Sequence, residues 1–77
     1  MKTIYADFNN IAADGCLRLN CDGTVADLNE QGIVLEEGVL LTVSDGDLIA
    51  RVVVKNPSDE GVWRAEILGD VEDRWDH

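Results

Sequence analysis

From residue 38 to residue 68 apolar and polar positions alternate with a period of two, the signature of half-buried β-strands. Val39, Leu41 and Val43 alternate with other residues up to Asp45-Gly46. Leu48, Ala50, Val52 and Val54 alternate on the way back, and Trp63, Ala65 and Ile67 do so again after a polar loop. Two consecutive hairpins follow. Asp-Gly favours a two-residue type I′ turn, because both central residues need positive φ. Such a turn predicts Val43 opposite Leu48, Leu41 opposite Ala50 and Val39 opposite Val52. A one-residue slip would bury Arg51 and expose the apolar set, so it is excluded. Residues 55–61, with Asn56-Pro57-Ser58-Asp59-Glu60-Gly61, form a loop by composition. Trp63 is then expected opposite Val54, Ala65 opposite Val52 and Ile67 opposite Ala50, with Trp63 in the core as part of an aromatic–β-branched pair. Arg51 is expected opposite Glu66.

Two further strands are predicted before the hairpins. Residues 2–8 place Ile4, Ala6 and Phe8 on one face, and residues 15–21 follow a loop over residues 9–15 that carries Asn-Asn and Asp-Gly. Asp22-Gly23 is a turn signal. Residues 24–31 read as a single helical turn opened by Thr24 and closed by Gly32, with Val25 and Leu28 towards the core, or as a short irregular strand. Glu36-Glu37-Gly38 makes a turn. The fold class is therefore mainly β: a small five-stranded antiparallel barrel or curled sheet with at most one short helical turn. The expected domain is one small β unit over residues 1–70, with an acidic tail over residues 71–77.

The pattern Leu35-x-x-Gly38-x-x-Leu41-x-Val43-x-Asp45-Gly46-Asp47, followed by a strand and then Val62-Trp63-Arg64-Ala65, resembles a Src-homology-3-like barrel. The resemblance covers roughly residues 33–68 and is topological. It implies two meander hairpins closing on the N-terminal strand. The aromatic groove of the peptide-binding members is not evident, since Tyr5 and Phe8 are the only other rings before Trp63. The stretch Tyr5-Ala6-Asp7-Phe8-Asn9, with Ser44-Asp45-Gly46-Asp47, also looks like small uncharacterised bacterial proteins, and that likeness carries no activity over.

Composition narrows the function classes. The 77 residues hold 16 acids against 6 bases, a formal charge of −10. Nucleic acids and anionic membranes need a basic footprint and are excluded as partners; a protein partner would be basic rather than acidic. No run approaches the roughly 20 apolar residues of a membrane span, and nothing resembles a signal peptide. The expectation is a soluble cytoplasmic protein, bacterial in its compactness, monomeric or a weak homodimer. Cys16 and Cys21 are spaced C-x4-C, unlike zinc or redox motifs. An extended separation of about 17 Å is too long for a disulfide, so reduced thiols are expected, with Cys21 on the face of Leu17 and Leu19.

The chain offers no catalytic constellation. His77, the only histidine, ends the sequence, so no Ser/His/Asp or Cys/His arrangement can be built. Asp45-Gly46-Asp47 lacks the ligand spacing of a calcium loop. No metal, cofactor or enzymatic activity is expected. The face opposite the core is more informative. It carries Leu40, Thr42, Ile49, Arg51, Val53, Lys55, Val62, Arg64, Glu66 and Leu68, which is more apolar than a solvated antiparallel face should be. Three covers remain open: the tail, with Trp75 on Val53 or Ile49 and its carboxylates on Arg51, Lys55 and Arg64; a partner or second copy; or none, the apolar residues reflecting β-propensity. The candidate partner-binding residues are Ile49, Arg51, Val53, Lys55, Arg64 and Trp75. The expected function is a small non-catalytic interaction module. An acidic inhibitor or antitoxin-like protein that neutralises a basic partner, and an accessory subunit of an enzyme, are the alternatives.

Overall fold

The alternating segments form the centre of a curled five-stranded sheet, seen in a computed structural model that describes residues 2–57 and 59–73. In chain order the elements are β1 (Thr3–Tyr5), β2 (Leu17–Arg18), α1 (Asp22–Gln31), β3 (Leu40–Ser44), β4 (Leu48–Lys55) and β5 (Arg64–Asp73). The sheet order is β1-β3-β4-β5-β2. β3, β4, β5 and β2 pair antiparallel, but β1 pairs parallel with β3, Thr3 opposite Thr42 and Tyr5 opposite Ser44. The sheet is therefore mixed, not wholly antiparallel. It stays a half-barrel, since β1 and β2 form opposite edges and do not pair.

The inward set is the one that alternation marks. Leu41, Val43, Ala50, Val52, Val54 and Ala65 are buried, joined by Ile4, Ala6, Leu17, Leu19 and Leu28, with Trp63 and Ile67 packed against them. The registers, however, differ from expectation by two residues in both hairpins. Val43 lies opposite Ala50 and Leu41 opposite Val52; Val54 lies opposite Ala65 and Val52 opposite Ile67. A two-residue shift keeps every side chain on its own face, so burial is unchanged while each pairing moves.

The cause in the first hairpin is the turn. Asp45 builds a four-residue loop, its carboxylate accepting the Asp47 N–H at 2.9 Å and the Leu48 N–H at 2.8 Å, while Ser44 Oγ accepts the Gly46 N–H at 3.1 Å. Side-chain acceptors of this kind replace the tight Asp-Gly turn. The Leu48 N–H first, and the Asp47 N–H after it, hold the Asp45 carboxyl below its ordinary range. In the second hairpin the Arg64 guanidinium donates to the Asn56 carbonyl at 2.8 and 3.2 Å and ties the loop one pair lower.

Residues 22–31 form a full helix rather than one turn. It starts at Asp22, where a carboxylate suits the positive helix end, and Cys21 rather than Thr24 is the cap. Gly32 ends it at φ 66°, with the Gly32 N–H on the Asn29 carbonyl and the Ile33 N–H on the Leu28 carbonyl at 2.9 Å, the left-handed stop that glycine permits. Leu28 is buried as expected; Val25 is exposed, and the second inward residue is Thr24. Both cysteines are free thiols; Cys16 is buried and Cys21 half-buried. The boundary expected after residue 70 falls inside β5, because residues 70–73 continue that strand and Asp73 pairs with Leu48.

Candidate functional site

The outward face of β3, β4 and β5 is built by register. Thr42, Arg51 and Leu68 form one row across the three strands; Leu40, Val53 and Glu66 form the next. Ile49 lies opposite Glu72, and Lys55 opposite Arg64. Leu40 is 53 % exposed and Leu68 42 %, while Ile49 and Val53 are half-buried. Among the described residues no other element lies over this face, since α1 runs beside β1 alone and its Leu28 enters the core on the opposite, inward face.

The three cations of this face have separate fates. Lys55 meets Glu66 at 3.4 Å. This diagonal pair replaces the expected Arg51–Glu66 pair, because the shifted register puts Arg51 opposite Leu68. As an exposed pair it contributes little to stability. Arg64 turns away to the hairpin end, where it pairs with Asp14 and holds the Asn56 carbonyl. Arg51 makes no ion pair or hydrogen bond among the described residues. It lies at a shallow depression lined with Leu68, Asp70 and Glu72. The structure thus gathers Ile49, Arg51 and Val53 into one patch with Leu40 and Leu68, places Lys55 at its rim and takes Arg64 out of it. Trp75 lies outside the described residues.

A second concavity, of about 390 Å³, is lined by Ala12, Ala13, Asp14, Arg18, Asp59, Glu60 and Arg64. Its cations are already answered. Arg18 binds Glu60 with two hydrogen bonds of 3.1 Å and the Ile11 carbonyl at 2.9 Å. The Cys16 N–H first, and the charge of Arg64 after it, hold Asp14 below the usual carboxylate range, so it stays ionised. Burial first, with the charge of Asp14 adding to it, pushes the neighbouring Cys16 thiol up. A thiol kept protonated is a poor nucleophile.

One feature of the sheet was invisible to alternation: its edges. β1 is sealed by α1. The Tyr5 N–H donates to Asp27 Oδ2 at 2.7 Å, Thr24 Oγ1 donates to the Tyr5 carbonyl at 2.7 Å and Gln31 Nε2 to the Thr3 carbonyl at 2.9 Å. β2 covers β5 only at Arg64 and Ala65. The sequence signal was Val71, a lone apolar residue among acids after Leu68-Gly69, which continues strand character past residue 70. Compared with known proteins, the chain matches no family model, no curated protein and no solved structure.

Proposed function

We infer that this chain is a protein-interaction module without catalysis, and that the outward face of β3, β4 and β5 receives its partner. The observation that carries this reading is the patch of Leu40, Ile49, Val53 and Leu68 around Arg51, over which no other described element lies. Exposed apolar side chains grouped at the centre of a polar rim mark docking surfaces. Arg51, which has no carboxylate partner among the described residues, is available to bind an acceptor group on the arriving surface, and arginine is enriched at such centres. The excess of ten negative charges makes the partner basic overall, since opposite fields accelerate encounter. The protonated Cys16 thiol and the paired arginines of the second concavity fit a role that involves no nucleophile.

The test is site-specific photo-cross-linking in cells of the source organism. A photoreactive residue at position 53 is expected to give a discrete adduct with a protein of basic isoelectric point. The same residue at Glu30, exposed on α1, is expected to give none. Equal labelling from both positions, or none from position 53, overturns the reading.

A further inference from the structure

We propose that the open edge of β5 over residues 67–72 is a strand-addition site for an extended basic polypeptide segment; this rests on the interaction-module reading and assigns its mode of binding.

Backbone direction places the free groups. The Val54 N–H donates to the Val39 carbonyl at 2.9 Å, so Val54 faces β3 and its neighbours Val53 and Lys55 face β5. N–H and C=O of one residue share a side, and successive residues alternate. Arg64, Glu66 and Leu68, opposite Lys55, Val53 and Arg51, therefore spend their backbone groups on β4. Ala65 and Ile67 face the other way. Ala65 meets Leu17 of β2, but β2 ends at Arg18, and Ile67 meets no strand. Beyond a bulge at Gly69, φ 77°, Glu72 pairs with Ile49, which leaves Val71 facing outward as well. β5 packs against β4 and β2 alone among the elements.

The contrast with the other edge gives the vacancy its meaning. At β1 three side chains of α1 satisfy the strand groups that would otherwise recruit another chain. At β5 no such cover exists among the described residues. Unpaired N–H and C=O groups in a row are a template for pairing, and natural edges are blunted against it by charge and bulges. β5 uses both, with the Gly69 bulge and the exposed acids Glu66, Asp70 and Glu72. Those acids select the occupant. A second copy of β5 would set carboxylates against carboxylates, which is unfavourable directly across a sheet. A strand carrying Lys or Arg at alternate positions would instead meet opposite charge on the outward face and add main-chain hydrogen bonds at Ile67 and Val71, the usual source of affinity in strand addition.

The probe is an end-blocked peptide alternating lysine and valine over about six residues, a common strand length, titrated into the whole chain and followed by amide NMR and hydrogen exchange. Binding is expected at low salt, weakening as ionic strength rises from a few millimolar to about 0.15 M, with slowed exchange at Ile67 and Val71. N-methylation of the peptide amides on both edges is expected to lower affinity roughly tenfold or more, as two or more hydrogen bonds are lost. Val71→Pro removes an outward N–H that β4 does not use, a tolerated edge position for proline; it is expected to fold and to lose binding. Equal affinity for the N-methylated peptide, an undiminished affinity of folded Val71→Pro, or no binding at low salt overturns the proposal. So does self-association of the chain alone that slows Ile67 exchange. Peptide-induced shifts confined to Arg51 and Val53 also overturn it, while leaving docking on the outward face intact; cross-linking from position 53 judges that reading separately.

Discussion

Thr24 is fully buried, and its hydroxyl joins α1 to the sheet: Oγ1 donates to the Tyr5 carbonyl at 2.7 Å and lies 2.8 Å from Cys21 Sγ. Thr24→Val keeps the shape and removes the hydroxyl. Loss of one partner in a buried hydrogen bond costs about 1–3 kcal/mol, so urea unfolding is expected to show that loss, with Thr24→Ser losing less. A Thr24→Val protein as stable as the parent would mean that Leu28 and the Asp27 and Gln31 hydrogen bonds hold the helix without the Thr24 hydroxyl. In sequence Thr24 signals a helix opener, because threonine is a good cap. Only the position of β1 reveals it as an inward residue with a strand carbonyl to satisfy. Asp45 departs from its sequence signal for a related reason: as part of Asp-Gly it signals a tight turn, and its carboxylate instead captures two backbone N–H groups. Side chains that bind backbone locally compete with the turn that their identity suggests.

Among the elements, alternation carries face but not register. The inward residues of β3, β4 and β5 were legible because burial depends on parity, and both registers moved by an even step. What alternation cannot see is any feature that breaks the period. At Gly69 β5 bulges between the pairs Arg51–Leu68 and Ile49–Glu72. A φ of 77° is open to glycine and strained for an L side chain by about 1–2 kcal/mol. Gly69→Ala is therefore expected to destabilise the protein by that amount, with the largest rise in amide exchange at Glu72 and Ile49, whose pairing depends on the bulge. Unchanged exchange there would show that the strand end holds without it. The same blindness hid the candidate site's second half. Parity identified Ile49, Arg51 and Val53 as one face, whereas the open edge at Ile67 and Val71 depends on where β2 stops, which no local pattern records. Gly23 is a further instance: it signals a turn in isolation, yet it lies in α1, where a β-carbon would come within 2.8 Å of the Tyr5 ring.

At the scale of the molecule, charge opposes the fold. The chain carries 16 acids and 6 bases, and the three ion pairs among the described residues engage Arg18, Lys55 and Arg64. Acids crowd where the sheet is least covered, at the end of β5. A domain of this size buries only about 60 % of the surface its unfolded chain exposes, so self-repulsion acts on a thin margin. Exposed charges further apart than about 8 Å are largely screened at physiological ionic strength. Screening removes a long-range repulsion that the compact state suffers more than the extended chain does, and it weakens exposed ion pairs that contribute about 0–1 kcal/mol each. The repulsive term is the larger, because the excess charge is ten against three exposed pairs among the described residues. The thermal midpoint is therefore expected to rise as sodium chloride goes from a few millimolar to about 0.15 M, in the same interval over which binding of a basic strand weakens. Circular dichroism melts across that range measure the first effect, and a falling midpoint would show that the ion pairs at Arg18, Lys55 and Arg64 outweigh the repulsion. The opposed salt responses follow from one cause. Carboxylates that strain the free protein are relieved by counter-ions in the one case and by the lysines or arginines of an arriving strand in the other.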